Sequence, residues 1–330
     1  MPALLAGLVL AGLAGLMAGS VAIAPGEIVK RLWAALLGQN PHDPTDQVLL
    51  AARLPRLVLA ASVGSALALA GLAAQTLFRN PLATPSIIGV SSGSALGAVL
   101  GMLLAGRAGY SSPALVPGFS LASGLAVTAL VFALGRRGSF FGHALLLAGI
   151  AIGSLCSALT TAVLYLAGER LQGIVFWLMG GLWQANWGDA WLMLPLAAGS
   201  SAGLYLLAPA MNVALMGERS AHDLGLNLPR LQRQLLVIIA VTTAVAVSLT
   251  GVIGFIGLVV PHLLRLVIGA DHRRLVPATA LGGAVLLLLA DTLARTLASP
   301  AEIPVGILTA VVGAPVFLWL LSQRPGRPAA

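Results

Sequence analysis

Long apolar runs, broken by short polar connections, constrain this chain more than any other feature. A membrane crossing takes roughly 20 apolar residues. The runs place crossings at about 3–24, from just after Arg56 to Phe78, 86–106, 114–135, 144–167, 189–208, 231–250, 252–269, 275–291 and 303–322. Of the 330 residues, 58% are hydrophobic and 8% charged; a soluble domain carries about 25% charged residues. The expectation is an all-α polytopic membrane protein of about ten transmembrane helices. It forms one transmembrane domain over 1–330. Residues 171–188 make a less regular apolar stretch rich in Gly and Trp.

The net charge is +8, but the basic residues are scattered through the connections. Nucleic acid is therefore not an expected partner, whereas membrane lipid is. Cys156 is the one cysteine and lies in an apolar run, so no intrachain disulfide is expected, and no Cys/His metal spacing occurs. Ala22-Ile23-Ala24 has the form of a signal-peptidase site, yet no Lys or Arg precedes it, and the first run reads as a retained crossing. An even number of crossings puts both termini on one side. With that side cytoplasmic, 11 of the 18 Lys and Arg residues fall inside, among them Arg79, Arg136, Arg137, Arg219, Arg324 and Arg327. Lys30 and Arg31 count the other way.

A polar island, Gly217–Gly225, separates the sixth and seventh runs. Ser220 with Asp223 three residues on reads as a capping box for a short helix. Gly225 stops that helix, and Pro229 suits the first turn of the next. Ala221 and Leu224 lie three apart, so they share a face as a small apolar knob. So short a helix is marginal in water and makes sense pressed against a partner. A solvated helical loop is the plainer alternative.

No Asp, Glu, Lys or Arg falls clearly inside a run. Ion-coupled carriers place such groups at membrane depth, so their lack argues against a self-powered transporter. There is no metal triad, no Ser/His/Asp set within reach and no phosphate-binding loop, so neither catalysis nor a cofactor is expected. Gly89, Gly93 and Gly97 form a small-residue stripe for close helix packing. Gly71-Leu72 precedes Arg79 by the spacing at which Gly257-Leu258 precedes Arg265, a faint internal echo. A pore or gate driven from elsewhere fits, with the drive arriving at the polar island. A stand-alone channel or secondary carrier and a structural scaffold are the readings from other classes.

Four strings together carry a family resemblance. They are GVIGFIGLVVPHLLR (Gly251–Arg265), RLPR (Arg53–Arg56) followed by LFRNPLATPSIIGVSSGSALGA (Leu77–Ala98), GERSAHDLGL (Gly217–Leu226) and PVGILTAVVGAPVFLWLL (Pro304–Leu321). They resemble the signatures of the FecCD-type permeases, membrane subunits of ABC importers for ferric siderophores, haem and vitamin B12. The resemblance implies a type II ABC importer permease fold in the bacterial inner membrane, working as a homodimer. It also implies two copies of a cytoplasmic ABC ATPase and a periplasmic substrate-binding protein. This chain then binds no nucleotide. Overall similarity leans to haem permeases, with ferric siderophore and cobalamin as alternatives. Of the five His residues only His42 is expected outside, so no paired-His site argues for haem iron.

The resemblance also implies roles. Gly217, Glu218, Ala221, Leu224 and Gly225 become the ATPase-coupling loop. Arg53, Arg56 and Arg295 fall on the outer side, where the resemblance pairs them with glutamates of the binding protein through the planar guanidinium fork. Otherwise they fix a helix end or meet headgroups, and Arg295 pairs with Asp291 four residues before it. Pro261, with His262 and Arg265 after it, is a gate hinge or a tolerated kink. Gly149, Gly153, Ser157, Thr160 and Thr161 line the central path, or are ordinary small-residue packing. Trp177, Trp183, Trp187 and Trp191 form an aromatic belt, or stack on a planar ligand.

Overall fold

In the computed structural model, residues 1–19, 23–38, 43–108, 114–136 and 141–322 are described. His42, Arg137, Arg324 and Arg327 lie outside them. Among the described residues there are helices and turns but no strand. Among the described residues, six segments are long and apolar enough to cross a membrane, and four shorter apolar helices bring the number to ten.

Helix α1 (Pro2–Met17) stops well short of residue 24, and Pro25 opens a separate helix, α2 (Pro25–Leu36). The polar connection is therefore structured. Arg31 on α2 bonds Asp46 at 2.6 Å and Asp43 at 2.9 Å, which ties α2 to α3 (Pro44–Gln47). A π-helical turn, Val48–Arg53, then leads into α4 (Leu54–Leu77). Arg56 accordingly lies inside the first turn of α4 instead of before it.

α4 is the axis of the bundle and is mostly buried. Around it pack α9 (Trp187–Ala214), α11 (Leu228–Thr250), α12 (Ile256–Ile268) and α13 (His272–Thr296). Between helices in lipid, close van der Waals contact replaces the hydrophobic drive, so small residues sit at the crossings. A Cβ on Gly64 would lie 2.3 Å from the Gly283 carbonyl oxygen of α13, and one on Gly71 would lie 1.8 Å from that of Gly257 on α12. The two glycines of the faint sequence echo thus touch each other.

A 3-10 turn (Pro85–Ile88) and Gly89 at φ +76° precede α5 (Val90–Ala108), so Gly89 starts the helix from outside. Gly93 and Gly97 seat α5 against Val127 and Phe119 of α6 (Leu115–Gly135). The outer helix α7 (Phe141–Tyr165) and the short α8 (Leu171–Leu178) follow. α9 runs to Ala214, beyond the expected end at 208, and α10 (Glu218–Asp223) is the helix of the polar island. α14 (Val305–Ser322) completes the set.

α12 is shorter than the run over 252–269, because residues 251–255 are not helical. Gly251 at φ +70° ends α11, and Phe255 at φ +64° caps α12 in a conformation that side chains disfavour. Its neighbours approach it closely through glycines, since a Cβ on Gly180 or on Gly306 would meet the Val252 carbonyl oxygen. Gly181 N–H donates to the Thr250 carbonyl at 2.8 Å, and Gly306 N–H to that of Gly180 at 3.3 Å. The segment borders a cavity of about 190 Å³ lined by Thr84, Ser86, Ser91 and Thr243.

Candidate functional site

Two ends of the bundle carry the polar residues. At one, α10 lies against α9 and α11. Its N-cap is Gly217 at φ +101°, with no side chain bonded to the first amides. The Ser220/Asp223 capping box is therefore not formed, because Ser220 lies within the helix. Glu218, the first helical residue, reaches out to Arg79 at the end of α4 as an ion pair. The helix stops as the sequence indicates. Gly225 takes φ +73°, its N–H donates to the His222 carbonyl and Leu226 N–H donates to the Ala221 carbonyl, both at 2.9 Å. That pair of bonds is the Schellman stop. Asn227 then caps α11 by accepting from Arg230 N–H at 3.0 Å, with Pro229 in its first turn.

The expected apolar knob divides. Ala221 is fully buried against the chain itself, whereas Leu224 is 62% exposed. Ala221 seats the helix, and Leu224 projects. Between α10, the end of α4, and the facing parts of α7 and α11 lies a cavity of about 640 Å³, lined by Arg79, Asn80, His143, Glu218 and Gln232.

A second network ties this end to the core. Asp271 caps α13 by accepting from Arg273 N–H at 3.1 Å and also accepts from Asn212 Nδ2–H at 2.7 Å. The Asn212 amide and then the Arg273 N–H hold its carboxyl below the usual range. The Asn212 oxygen accepts the His272 backbone N–H at 2.9 Å and faces Nδ1 of the buried ring at 2.7 Å. The other ring nitrogen lies 3.0 Å from Thr76 Oγ1 of α4. Three helices therefore meet at one imidazole. Nothing in the local sequence marks this, since Asn212 and Thr76 lie in otherwise apolar runs.

At the opposite end the three arginines are engaged inside the chain. Arg56 holds Asp291 through Nε at 3.0 Å and Nη2 at 2.8 Å. It holds Glu302 through Nη1 at 3.0 Å and Nη2 at 2.9 Å. Arg295 pairs with Asp291 at 3.2 Å, the helical pairing that the four-residue spacing offers, and donates to the Gly15 carbonyl at 3.0 Å. Arg53 is buried and donates to the Leu16 carbonyl at 2.6 Å. Asp291 lies inside α13 with its side chain 3% exposed. This corrects the expectation that no carboxylate enters a crossing. Two cations compensate it, which is what makes its burial tolerable.

On α7, Gly149 is buried and packs on the Ile87 carbonyl, and Gly153 faces Ser92 and Gly89. Thr160 is buried, while Ser157 and Thr161 face outward. Their hydroxyls donate to carbonyls one turn back: Ser157 to Gly153 at 2.9 Å, Thr160 to Cys156 at 2.8 Å and Thr161 to Ser157 at 3.1 Å. The exposed face is thus weakly polar. Pro261 sits mid-way along α12 and is buried, and beside it Nδ1 of His262 is buried without a hydrogen-bond partner among the described residues. Arg265 lies close enough to His272 for their charges to interact. Of the four outer tryptophans, only Trp191 is exposed. Trp177 is buried, which removes it from an aromatic belt, and Trp187 donates from Nε1 to the Leu50 carbonyl at 3.0 Å.

The chain matches the FecCD transport family over residues 7–323. It belongs to the FecCD family. The hemin transport system permease protein HmuU of Yersinia pestis is 44% identical over 299 residues, covering 88% of each chain. The cobalamin import system permease protein BtuC of Halobacterium salinarum is 45% identical over 83% of this chain and 73% of that one. The Fe(3+) dicitrate transport system permease protein FecC of Escherichia coli is 39% identical over 88% of this chain and 87% of that one. Among solved structures, an inward-facing metal-chelate type ABC transporter superposes with a TM-score of 0.85 at 34% identity, covering 98% of both chains. The PsaBC complex of Streptococcus pneumoniae, at 14% identity and a TM-score of 0.55, shares the fold alone. The FecCD chain described here is thus an ABC importer permease with the all-helical architecture read from its sequence.

Proposed function

We propose that this chain is the translocating subunit of an ATP-driven importer that carries haem across the bacterial inner membrane. The observation that carries the substrate is the 44% identity to a hemin permease across 88% of both chains. A cobalamin permease is as similar over a shorter stretch, which makes a corrinoid the second reading. A ferric siderophore is the third, on the likeness to the dicitrate permease.

In this reading the chain is one transmembrane unit that works as a homodimer, with both termini cytoplasmic. Two copies of a cytoplasmic ABC ATPase meet the α10 end, and a periplasmic binding protein docks at the end holding Arg53, Arg56 and Arg295. Gly217, Glu218, Ala221, Leu224 and Gly225 form the coupling loop. Leu224 supplies the projecting contact, and the Glu218–Arg79 pair links α10 to α4. ATPase closure at α10 then shifts the population between inward and outward gates as a rigid lever would. The α7 face at Ser157 and Thr161 borders the substrate path, with hydroxyl hydrogens already donated to backbone carbonyls and only acceptor oxygens left to cargo. Pro261 with His262 and Arg265 serves as the hinge of α12. Arg56 offers a docking carboxylate only the edge of its fork that Glu302 now covers.

The test is reconstitution in proteoliposomes with the cognate ATPase and binding protein. Haem, cobalamin and ferric siderophore are supplied side by side. ATP-dependent accumulation of haem alone supports the first reading, and of cobalamin or siderophore the alternatives. Uptake without the ATPase would remove the importer assignment altogether.

A further inference from the structure

The helix α2 has three faces, and two of them are accounted for. Successive residues on an α-helix advance by about 100°. Ile28 and Leu32 share one sector. Ile28 is 1% exposed and packs with Leu16 of α1 and Leu49, with Leu32 beside it. Glu27, Lys30 and Arg31 fill the polar sector, where Arg31 is held by Asp46 and Asp43. The third sector holds Val29, Trp33 and Leu36, spaced four and three apart. They are 64%, 64% and 80% exposed.

The order of these sectors identifies the occupant. The exposed ridge adjoins the sector facing the protein and lies across the helix from the polar one. That is how a helix lying along a bilayer surface beside a membrane protein divides its circumference, with protein at its side, lipid below and water above. A protein docking from the aqueous side would meet Glu27 and Lys30 before it met the ridge. Val9 and Leu10 of the neighbouring membrane helix α1 are likewise exposed, at 61% and 66%. Trp33 and Lys30 are the residue types that settle at the headgroup level.

We infer that α2 is an interfacial anchor. Its Val29–Trp33–Leu36 ridge sinks into the headgroup–acyl boundary of the bilayer, and its Arg31–Asp46–Asp43 ion pairs fix that depth relative to α4. The anchor holds the end of the bundle where Arg53 and Arg56 lie at a set height in the membrane.

Spin labels test this in the full transporter, reconstituted in vesicles containing phosphatidylglycerol. Single cysteines replace Val29, Trp33, Leu36, Glu27 or Lys30 in a Cys156→Ser background. The inference expects labels at 29, 33 and 36 to be open to oxygen, shielded from a water-soluble nickel complex and about 5–10 Å below the headgroup boundary. Labels at 27 and 30 are expected to show the reverse. Nickel access at all five positions overturns it. So does dipolar broadening between copies at 29, 33 and 36, which would make the ridge a homodimer contact. Shielding that develops only when binding protein is added overturns it as well. Should a labelled variant fail to assemble, quenching by brominated lipid gives the same answer on the native chain. Wild type is expected to lose a component of tryptophan emission that Trp33→Phe lacks, and equal quenching of the two counts against the anchor.

Discussion

Arg56 and Asp291 lie 235 residues apart, yet they form a two-pronged bond, with Nε and Nη2 at 3.0 and 2.8 Å from one carboxylate oxygen. The pair joins the first turn of α4 to the last turns of α13, with Asp291 almost wholly buried. Removing the cation leaves a buried carboxylate with Arg295 as its remaining partner. Breaking a buried pair in this way costs about 3–5 kcal/mol. Arg56→Ala is expected to lower the thermal unfolding temperature of the solubilised permease with no binding protein present. Glu302→Gln should cost under about 1 kcal/mol, because that carboxylate is partly solvated. Equal losses in the two variants would contradict the ranking. A variant of Arg56 that stays fully stable would leave partner docking as its whole role.

Gly71 and Gly257 set the distance between α4 and α12. A Cβ on Gly71 meets backbone at 1.8 Å, which cannot give way as a side-chain tip can. Overpacking costs about 1–3 kcal/mol and forces backbone shifts. Gly71→Ala is expected to lower the yield of monodisperse protein on size exclusion and to lower its unfolding temperature. Gly118 has nothing within 4 Å of its Cβ position. Gly118→Ala in α6 should be neutral or stabilising by up to about 1 kcal/mol, since Ala is the better helix former.

Hydropathy alone made the ten crossings legible, because lipid demands a long apolar helix wherever it is met. The ends of the helices were less legible. Residues 18–24 are as apolar as those before them, so nothing in the composition marks the stop at Met17. Residues 251–255 are likewise apolar, and their unwinding shows only in the positive φ of Gly251 and Phe255 and the close packing of Val252 on Gly180. The polar island was placed correctly, and Gly225 named its own role. Ser220 misled because its spacing to Asp223 fits a cap that Gly217 provides instead. The inward turn of Arg56 could not be seen at all, since Asp291 and Glu302 lie 235 and 246 residues away. Only the Arg295–Asp291 pair, four residues apart, was within reach of sequence.

Asp271 gives the α10 end a pH dependence with a defined sign. Its folded carboxyl is held below the ordinary value by Asn212 and by the Arg273 N–H. A depressed folded pKa contributes stability that is present above the unfolded value, about 3.9, and lost as pH falls through the folded one. Asp271→Asn is therefore expected to be less stable than wild type near neutral pH. The gap should narrow as pH drops below about 4. Unfolding temperatures of the two proteins across that range check this. A gap that stays constant with pH would show that the amide loses shape at the cap and not charge.

Ala221 and Leu224 separate two ways of damaging α10. Ala221 is buried against its own chain, so Ala221→Leu must push the helix off α9 and α11. That variant is expected to lose stability by about 1–3 kcal/mol and to lose ATPase binding as a consequence. Leu224 is 62% exposed and contributes little to the isolated chain. Leu224→Asp should unfold at the wild-type temperature, because an exposed position tolerates charge to within about 0.5 kcal/mol. It should nevertheless fail to co-purify with the ATPase, since it places a charge where an apolar contact is desolvated. Unfolding temperature and co-purification, read together on both variants, decide the matter. Normal ATPase capture and substrate uptake by Leu224→Asp would mean that the projecting side chain of α10 is not the point at which force enters the permease.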